Sequence, residues 1–339
     1  MLELDASESE PGYFIRLATS LAIIGKKPIK ISNIRLNEEN KGLSKSDVMY
    51  VKILAQLSNA KMKDLDRNKF SFTFEPGDLN TSGHIINLSF PALTPLFLPY
   101  IMLIFYNTDH KIRINGPTNR EGKITIDYIK EVILPLLDKI NVKQRIDITK
   151  RGYFQDIGTI ILNTREQKHI RTLNLTELGD FERIEATLHS YGYGDSINGY
   201  MLEGADKRLR QEMMKVNRHK SHFIENREKY KGYGIDLYAQ YENAKIGANY
   251  TSIRKQATQV GKEAADRLIS AINKNLPLDK HSSNIILPFL ALSKGTSNIA
   301  VAKKDNFTDI AAELCNKILG TEFRFEEKDN KTYIEVIPQ

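Results

Sequence analysis

The stretch Phe14-Ile15-Arg16-Leu17-Ala18-Thr19-Ser20-Leu21-Ala22-Ile23-Ile24-Gly25-Lys26-Lys27-Pro28-Ile29-Lys30-Ile31 sets the fold. Phe14, Leu17, Leu21 and Ile24 recur at helical spacing, Gly25 stops the helix and Pro28 follows. Ile29, Ile31 and Ile34 then read as a strand. After a polar loop, Ser44 can cap a second helix with Asp47 near its start, and Val48, Val51, Leu54 and Ala55 supply its apolar face. Phe70, Phe72 and Phe74 alternate with polar residues, as a half-buried strand does.

Working outward, the same order returns twice. After residue 90 come an apolar helix-like run to about Phe105, a strand at Lys111 to Ile114 and a helix from Asp127 to Ile140. Strands at Arg145 to Ile148 and Thr159 to Leu162 close that unit. A third copy is expected from Ile285 onward: a helix, a strand at Asn298 to Ala302, a helix at Asp309 to Leu319, and strands at Phe323 to Phe325 and Tyr333 to Ile337. Residues 181–276 differ in character, with sparse β patterning, a charged helix expected from about Asp206 to Lys220 and an amphipathic helix through Val260, Ala264, Leu268 and Ile272. The expected organisation is a large α+β domain formed by 1–180 plus 277–339, with 181–276 as an inserted small domain.

Composition narrows the functional classes. The 339 residues are 27% charged and 41% hydrophobic with a net charge of +7, the profile of a soluble globular protein that favours polyanionic partners. Nine Lys/Arg against three Glu lie between Lys207 and Lys231, a difference of six that nearly accounts for the net charge. Lys207, Arg208, Arg210, Lys215 and Arg218 form a candidate RNA-binding basic face, and Tyr230, Tyr233, Tyr238 and Tyr241 follow it as possible base-stacking groups. The competing reading is a solvated helix followed by a strand whose tyrosines half-bury.

Cys315 is the single cysteine, so intrachain disulfides and cysteine-based zinc sites are excluded, and no metal site is expected. The N-terminus lacks signal-peptide character, which points to the cytoplasm. Ile86 to Tyr106 is uncharged and long enough to test as a membrane span, but Pro91, Pro95 and Pro99 would interrupt a lipid-exposed helix; buried core is expected.

Several ordered fragments resemble the RNA 3'-terminal phosphate cyclase family. They include Ala18 to Pro28, Asn33-Ile34-Arg35, Lys41-Gly42-Leu43, Ile126 to Val132 with Leu134 to Leu137, Lys150-Arg151-Gly152-Tyr153, Val260 to Ala265 and Leu287 to Leu292. The resemblance implies three repeats related to the C-terminal fold of translation initiation factor 3, with a thioredoxin-like α/β domain inserted before the third. It also implies ATP-dependent conversion of an RNA 3'-phosphate to a 2',3'-cyclic phosphate. A histidine is adenylylated, AMP passes to the RNA 3'-phosphate, and the neighbouring 2'-hydroxyl closes the ring.

The motif that carries the family's histidine matches Asp305-Asn306-Phe307-Thr308-Asp309-Ile310, so the nucleophile position falls on Asp305. The acid position is Asn284. The glycine-rich opening reads Glu10-Pro11-Gly12-Tyr13-Phe14, one residue short, with a donor lost at Pro11 and space filled by Tyr13. Glu38 reverses the charge of a family arginine, Ser46-Asp47 replaces a Gln-His pair, Leu98 stands for a glutamine, and a second glycine triplet is reduced to Gly158. Glu10, Arg16, Arg35 and His281 persist as nucleotide or RNA-pocket remnants. Arg16 could instead simply pair with Glu10, and Arg35 could be a solvated loop residue.

Two functions follow as alternatives. One is an RNA-binding or RNA-processing factor with a degenerate adenylylation site, with RNA and possible protein partners, needing no cofactor. The other is a divergent cyclase using ATP with a divalent cation. Neither predicts a membrane.

Overall fold

A computed structural model describes residues 1–7, 10–80, 83–89, 91–224 and 231–339. The first unit comprises β1 (Leu2–Asp5), α1 (Pro11–Gly25), β2 (Ile29–Ser32), α2 (Lys45–Leu57), β3 (Lys61–Lys63) and β4 (Phe72–Glu75). Its sheet runs β1-β2-β4-β3, with β1 parallel to β2 and the other pairs antiparallel. α1 ends where Lys26 turns left-handed and its N–H caps the carbonyls of Ala22 and Ile23. α2 begins with a full capping box between Ser44 and Asp47.

The second unit has β5 (His84–Asn87), α3 (Thr94–Ile104), β6 (His110–Gly116), α4 (Ile126–Tyr128), a π-helical stretch Ile129–Ile133, α5 (Leu134–Lys139), β7 (Gln144–Lys150) and β8 (Gly158–Thr164). Its sheet repeats the order, β5-β6-β8-β7. The expected single helix over 127–140 changes pitch before Pro135, which cannot donate to Glu131; Leu134 N–H bonds back to Ile129 O instead. The apolar run Ile86 to Tyr106 is divided between β5 and α3, and α3 is buried nearly all round in the core. No helix among the described residues is long and apolar enough to cross a membrane.

Next come β9 (Asn174–Leu175), then β10 (Phe181–Tyr191), α6 (Ser196–Arg210), β11 (Val216–Ile224), β12 (Gly232–Tyr241), β13 (Lys245–Ser252) and α7 (Ala257–Ile272). The chain closes with α8 (Lys280–Leu290), β14 (Ser297–Val301), α9 (Asn306–Leu319), β15 (Glu322–Lys328) and β16 (Lys331–Ile337). β9 pairs in parallel with β14, giving the order β9-β14-β16-β15. β10 to β13 make a separate sheet, β11-β10-β12-β13, on which α6 and α7 pack.

Four expectations are corrected. Each unit carries a leading strand, so the third begins at β9, ahead of residues 181–276, and not at Ile285. β patterning in 181–276 is extensive rather than sparse. The charged helix expected over 206–220 is helical only to Arg210, at the end of α6: that helix exhausts its apolar face at Met201, Ala205 and Leu209, Met213 turns left-handed, and Val216–Ile224 pairs with β10 as a strand. Phe70 lies outside β4 and is 42% exposed, so only Phe72 and Phe74 enter the core.

α6 and α7 touch backbone to backbone. A Cβ on Gly204 would lie 2.0 Å from Thr258 O, and one on Gly261 would lie 1.9 Å from Met201 O. Gly199 on the same helix faces open space. Gly204→Ala should therefore destabilise the protein by about 1–3 kcal/mol or more, whereas Gly199→Ala should stabilise it by roughly 0.5–1 kcal/mol; urea unfolding midpoints of the two variants test the contrast.

Candidate functional site

The first turn of α1 organises one side of the site. Glu10 is its N-cap in a left-handed conformation (φ 64°), and the N–H groups of Tyr13 and Phe14 donate to Glu10 O. The turn thus closes on itself, and Pro11 offers no donor. A Cβ on Gly12 would sit 3.3 Å from an Arg16 nitrogen, 3.5 Å from an Arg35 nitrogen and 3.6 Å from an Asp47 oxygen, so these three side chains converge on that turn.

Neither arginine behaves as the simplest sequence alternative requires. Arg16 forms no ion pair with Glu10 among the described residues; its guanidinium lies 5.4 Å from the Tyr50 ring centre and 5.3 Å from that of Tyr100. Arg35 is far from solvated: it donates to Asp47 at 2.7 Å and to Gly42 O at 3.0 Å, with Glu38 at 3.5 Å. Asp47 is buried and also receives the Ser44 N–H and hydroxyl. Two carboxylates therefore hold the cation that a phosphate would need.

A cavity of about 410 Å³ opens between α1, α3, α8 and Phe307. Glu10, Tyr13, Arg16, Tyr100, Lys123, Lys280, His281 and Asn284 line it; Arg35 and Asp305 do not. Tyr13 forms part of its wall, donating its hydroxyl to Asn284 O at 3.2 Å and standing edge-on to Phe307 at 5.0 Å. Burial pushes the Tyr13 hydroxyl well above its ordinary range, so it remains a donor. Phe14 points into the core. Asn284 is buried and its Oδ1 has no hydrogen-bond partner among the described residues. His281 is exposed and meets the Tyr128 ring edge-on at 5.8 Å.

Asp305 has a local task. It is the N-cap of α9, accepting from Thr308 N–H and Oγ at 3.1 Å each, and its other oxygen lies 3.6 Å from Lys280 Nζ. Leu98, where the family resemblance expects a glutamine, is wholly buried core, and Gly158 packs against Gly152 N, where a Cβ would come within 2.6 Å. Tyr100, Lys123 and Lys280 line the cavity but escape sequence patterns, because their convergence is set by tertiary packing; Lys280 adjoins His281, the one local hint.

The basic face is also reshaped. Lys207, Arg208 and Arg210 occupy the last turn of α6, Lys215 the link just before β11 and Arg218 strand β11. Arg208 is bound by Asp266 and Glu212, and Arg210 by Asp206. Lys207, Lys215 and Arg218 form no ion pair among the described residues. Tyr233, Tyr238 and Tyr241 are buried on β12, which removes them as base-stacking groups; Tyr230 and part of the counted charge, Glu225, Arg227, Glu228 and Lys229, lie outside the described residues.

A second cluster joins the inserted sheet to the second unit. Arg151 donates both terminal nitrogens to Asp127, one at 2.9 Å. The Tyr153 hydroxyl lies 2.7 Å from His189 Nδ1, His189 Nε2 is 3.2 Å from Asp236, and Thr125 donates to Asp236. Burial would raise the Asp127 carboxyl, but the Arg151 guanidinium outweighs it and holds the group below its ordinary range; at Asp236 burial wins and raises it. Asp127, His189 and Asp236 place metal-capable atoms within 4.8 Å of one another, yet each already has a protein partner, so the cluster reads as a hydrogen-bonded junction.

Three like-ordered sheets, with a cavity lined from α1, α3 and α8 by cations and aromatic rings, define an α+β protein. Residues 8–325 match the family model described as RNA 3'-terminal phosphate cyclase, and the chain belongs to that family. It is 26% identical to the RNA 3'-terminal phosphate cyclase of Caldivirga maquilingensis, covering 100% of this chain and 98% of that one. It is 28% identical to the Methanothermobacter thermautotrophicus protein of the same name, covering 99% and 100%.

Asp305→Ala should lower stability by about 1 kcal/mol through the lost cap, measured by urea unfolding, while Asp305→Asn should remain near the parent. Asp127→Asn leaves the buried Arg151 charge without its counterion and should cost about 3–5 kcal/mol. Asp236→Asn, which mimics a protonated carboxyl, should cost clearly less; the same unfolding assay ranks the two.

Proposed function

We propose that this protein is an RNA-binding member of the cyclase family, acting in RNA processing in the cytoplasm with RNA and protein partners, and that it does not perform nucleotidyl transfer. In this reading 1–180 with 277–339 form the cyclase-type domain, and 181–276 form a small domain that contributes the basic face. The observation that carries the reading is Asp305: at the position of the family's nucleophile stands a helix cap whose carboxylate is engaged by Thr308 and Lys280 and does not line the cavity. A carboxylate also repels the phosphate it would have to attack.

The cavity retains groups suited to a nucleotide, and this favours the cyclase as the second reading. Arg16, Lys123 and Lys280 could hold phosphates and Tyr100 or Phe307 a base. ATP bound there would supply an activated adenylyl group with pyrophosphate as the leaving group. The chain's own residues support retention better than transfer: Arg35 is neutralised by Asp47 and Glu38, and no imidazole occupies the nucleophile position.

Incubation with ATP labelled at the α-phosphate should leave the protein and its Asp305→His variant unlabelled, beside a cyclase that labels. Covalent label on the parent would establish the second reading. RNA binding should fall as salt rises, and Lys207→Glu/Lys215→Glu/Arg218→Glu should weaken it roughly tenfold or more at low salt, flattening the log–log salt slope by about 2. Fluorescence anisotropy with single-stranded RNA measures both.

A further inference from the structure

Two sheet edges face one another across a cleft remote from α1. β7 is the outer strand of the second unit's sheet and β11 the outer strand of the inserted sheet. Between them lies a cavity of about 570 Å³ floored by β10. We propose that this cleft is a second nucleic-acid site, taking the sugar–phosphate backbone of a single RNA strand that continues from the basic end of α6. The proposal rests on the RNA-binding reading above and deepens it by giving the strand a path.

Alternation along β11 carries the first part. Residues two apart share a face of a strand, so Arg218, Lys220 and His222 form one stripe at intervals of about 6.6 Å. Lys220 and His222 line the cleft, and Arg218 extends the stripe toward Lys215 and Lys207. The opposite wall adds Lys130 and Lys150. Lys130 is exposed and makes no ion pair among the described residues. Lys150 has Asp156 at 3.7 Å and the Tyr191 ring centre at 5.9 Å.

Three carboxylates also line the cleft, but each is occupied. Asp127 is held by Arg151, Asp147 by Arg145 at 2.8 Å, and Glu131 by Lys220 at 3.2 Å. The last pair is largely exposed on its lysine side, so a phosphate can replace it at little cost. From β10, Thr187 and Tyr191 line the cleft on the same strand face as His189, in register with the Lys220 and His222 stripe of β11.

The chemistry fits a polyanion read through its backbone. The cations are spread along a line, the cleft is open, and bases would face solvent. A duplex suits it less, because the cations sit between two sheet edges rather than on a convex surface.

Anisotropy with a fluorescent oligouridine at several salt concentrations tests the path. Lys130→Glu/Lys150→Glu, both on accessible lysines, should weaken binding roughly tenfold and flatten the salt slope by about 1.4, with thermal unfolding unchanged. Photocrosslinking of 4-thiouridine RNA should label peptides containing 187–191 or 218–224. If the parent binds and the double variant binds equally well, or crosslinks avoid those peptides, the cleft assignment is overturned while the RNA-binding reading stands. If the parent binds no RNA, both fall. If a poly-glutamate peptide displaces the RNA and binds more tightly, the cleft is a protein-docking edge and the proposal is overturned.

Discussion

Arg151 and Asp127 form the interaction on which the arrangement of the molecule depends. The pair is almost wholly buried where the second unit meets the inserted sheet, and burying two charges is tolerable only because two parallel hydrogen bonds join them. Around it the remaining groups form one hydrogen-bonded line: burial raises the Asp236 carboxyl, which is shared by His189 and Thr125, and Tyr153 completes the line. Close contact then becomes obligatory. A Cβ on Gly232 would strike the Tyr153 ring at 2.3 Å, and one on Gly247 would meet Val132 and Tyr128 within 3 Å. The inserted sheet is seated on the second unit without room to slide, which fixes the distance between β7 and β11.

Much of this architecture is legible along the chain, and the exceptions share a physical cause. Long helices announce themselves, as in Phe14, Leu17 and Leu21, because an apolar stripe must repeat to be buried. β1, β5 and β9 escape because four, four and two residues are too few to establish a period. β11 escapes for another reason. An edge strand exposed along nearly its whole length has no apolar face to display, and its Arg218 and Lys220 read as part of a charged helix when they are charges guarding a sheet edge.

The site divides in the same way. Ser44 and Asp47 are recognisable as a helix start from four residues, and the capping box is present. That the same carboxylate would turn outward to Arg35, twelve positions earlier, depends on the path of the intervening loop. Asp305 is similar: its spacing to Thr308 is the signature of a helix cap, and the cap is present. Local sequence shows the residue type, while the surrounding packing determines the job it does.

Retention of Glu10, Arg16 and Arg35 consequently carries little weight as evidence for catalysis. Arg16 fills the space between Tyr50 and Tyr100, Arg35 neutralises a buried carboxylate and ties down Gly42, and Glu10 starts a helix. Each would be kept for packing alone. Nucleotidyl transfer asks for more, because only contacts that strengthen in the transition state accelerate it. A nucleophile, unpaired cations and free backbone donors must face the same phosphate. Here Asp305 caps α9, the Arg35 cation is paired, and the first residue of α1 is a proline without a donor. Binding a polyanion needs none of that convergence, only cations spread along a surface, and those are what α6, β11 and the β7 edge supply.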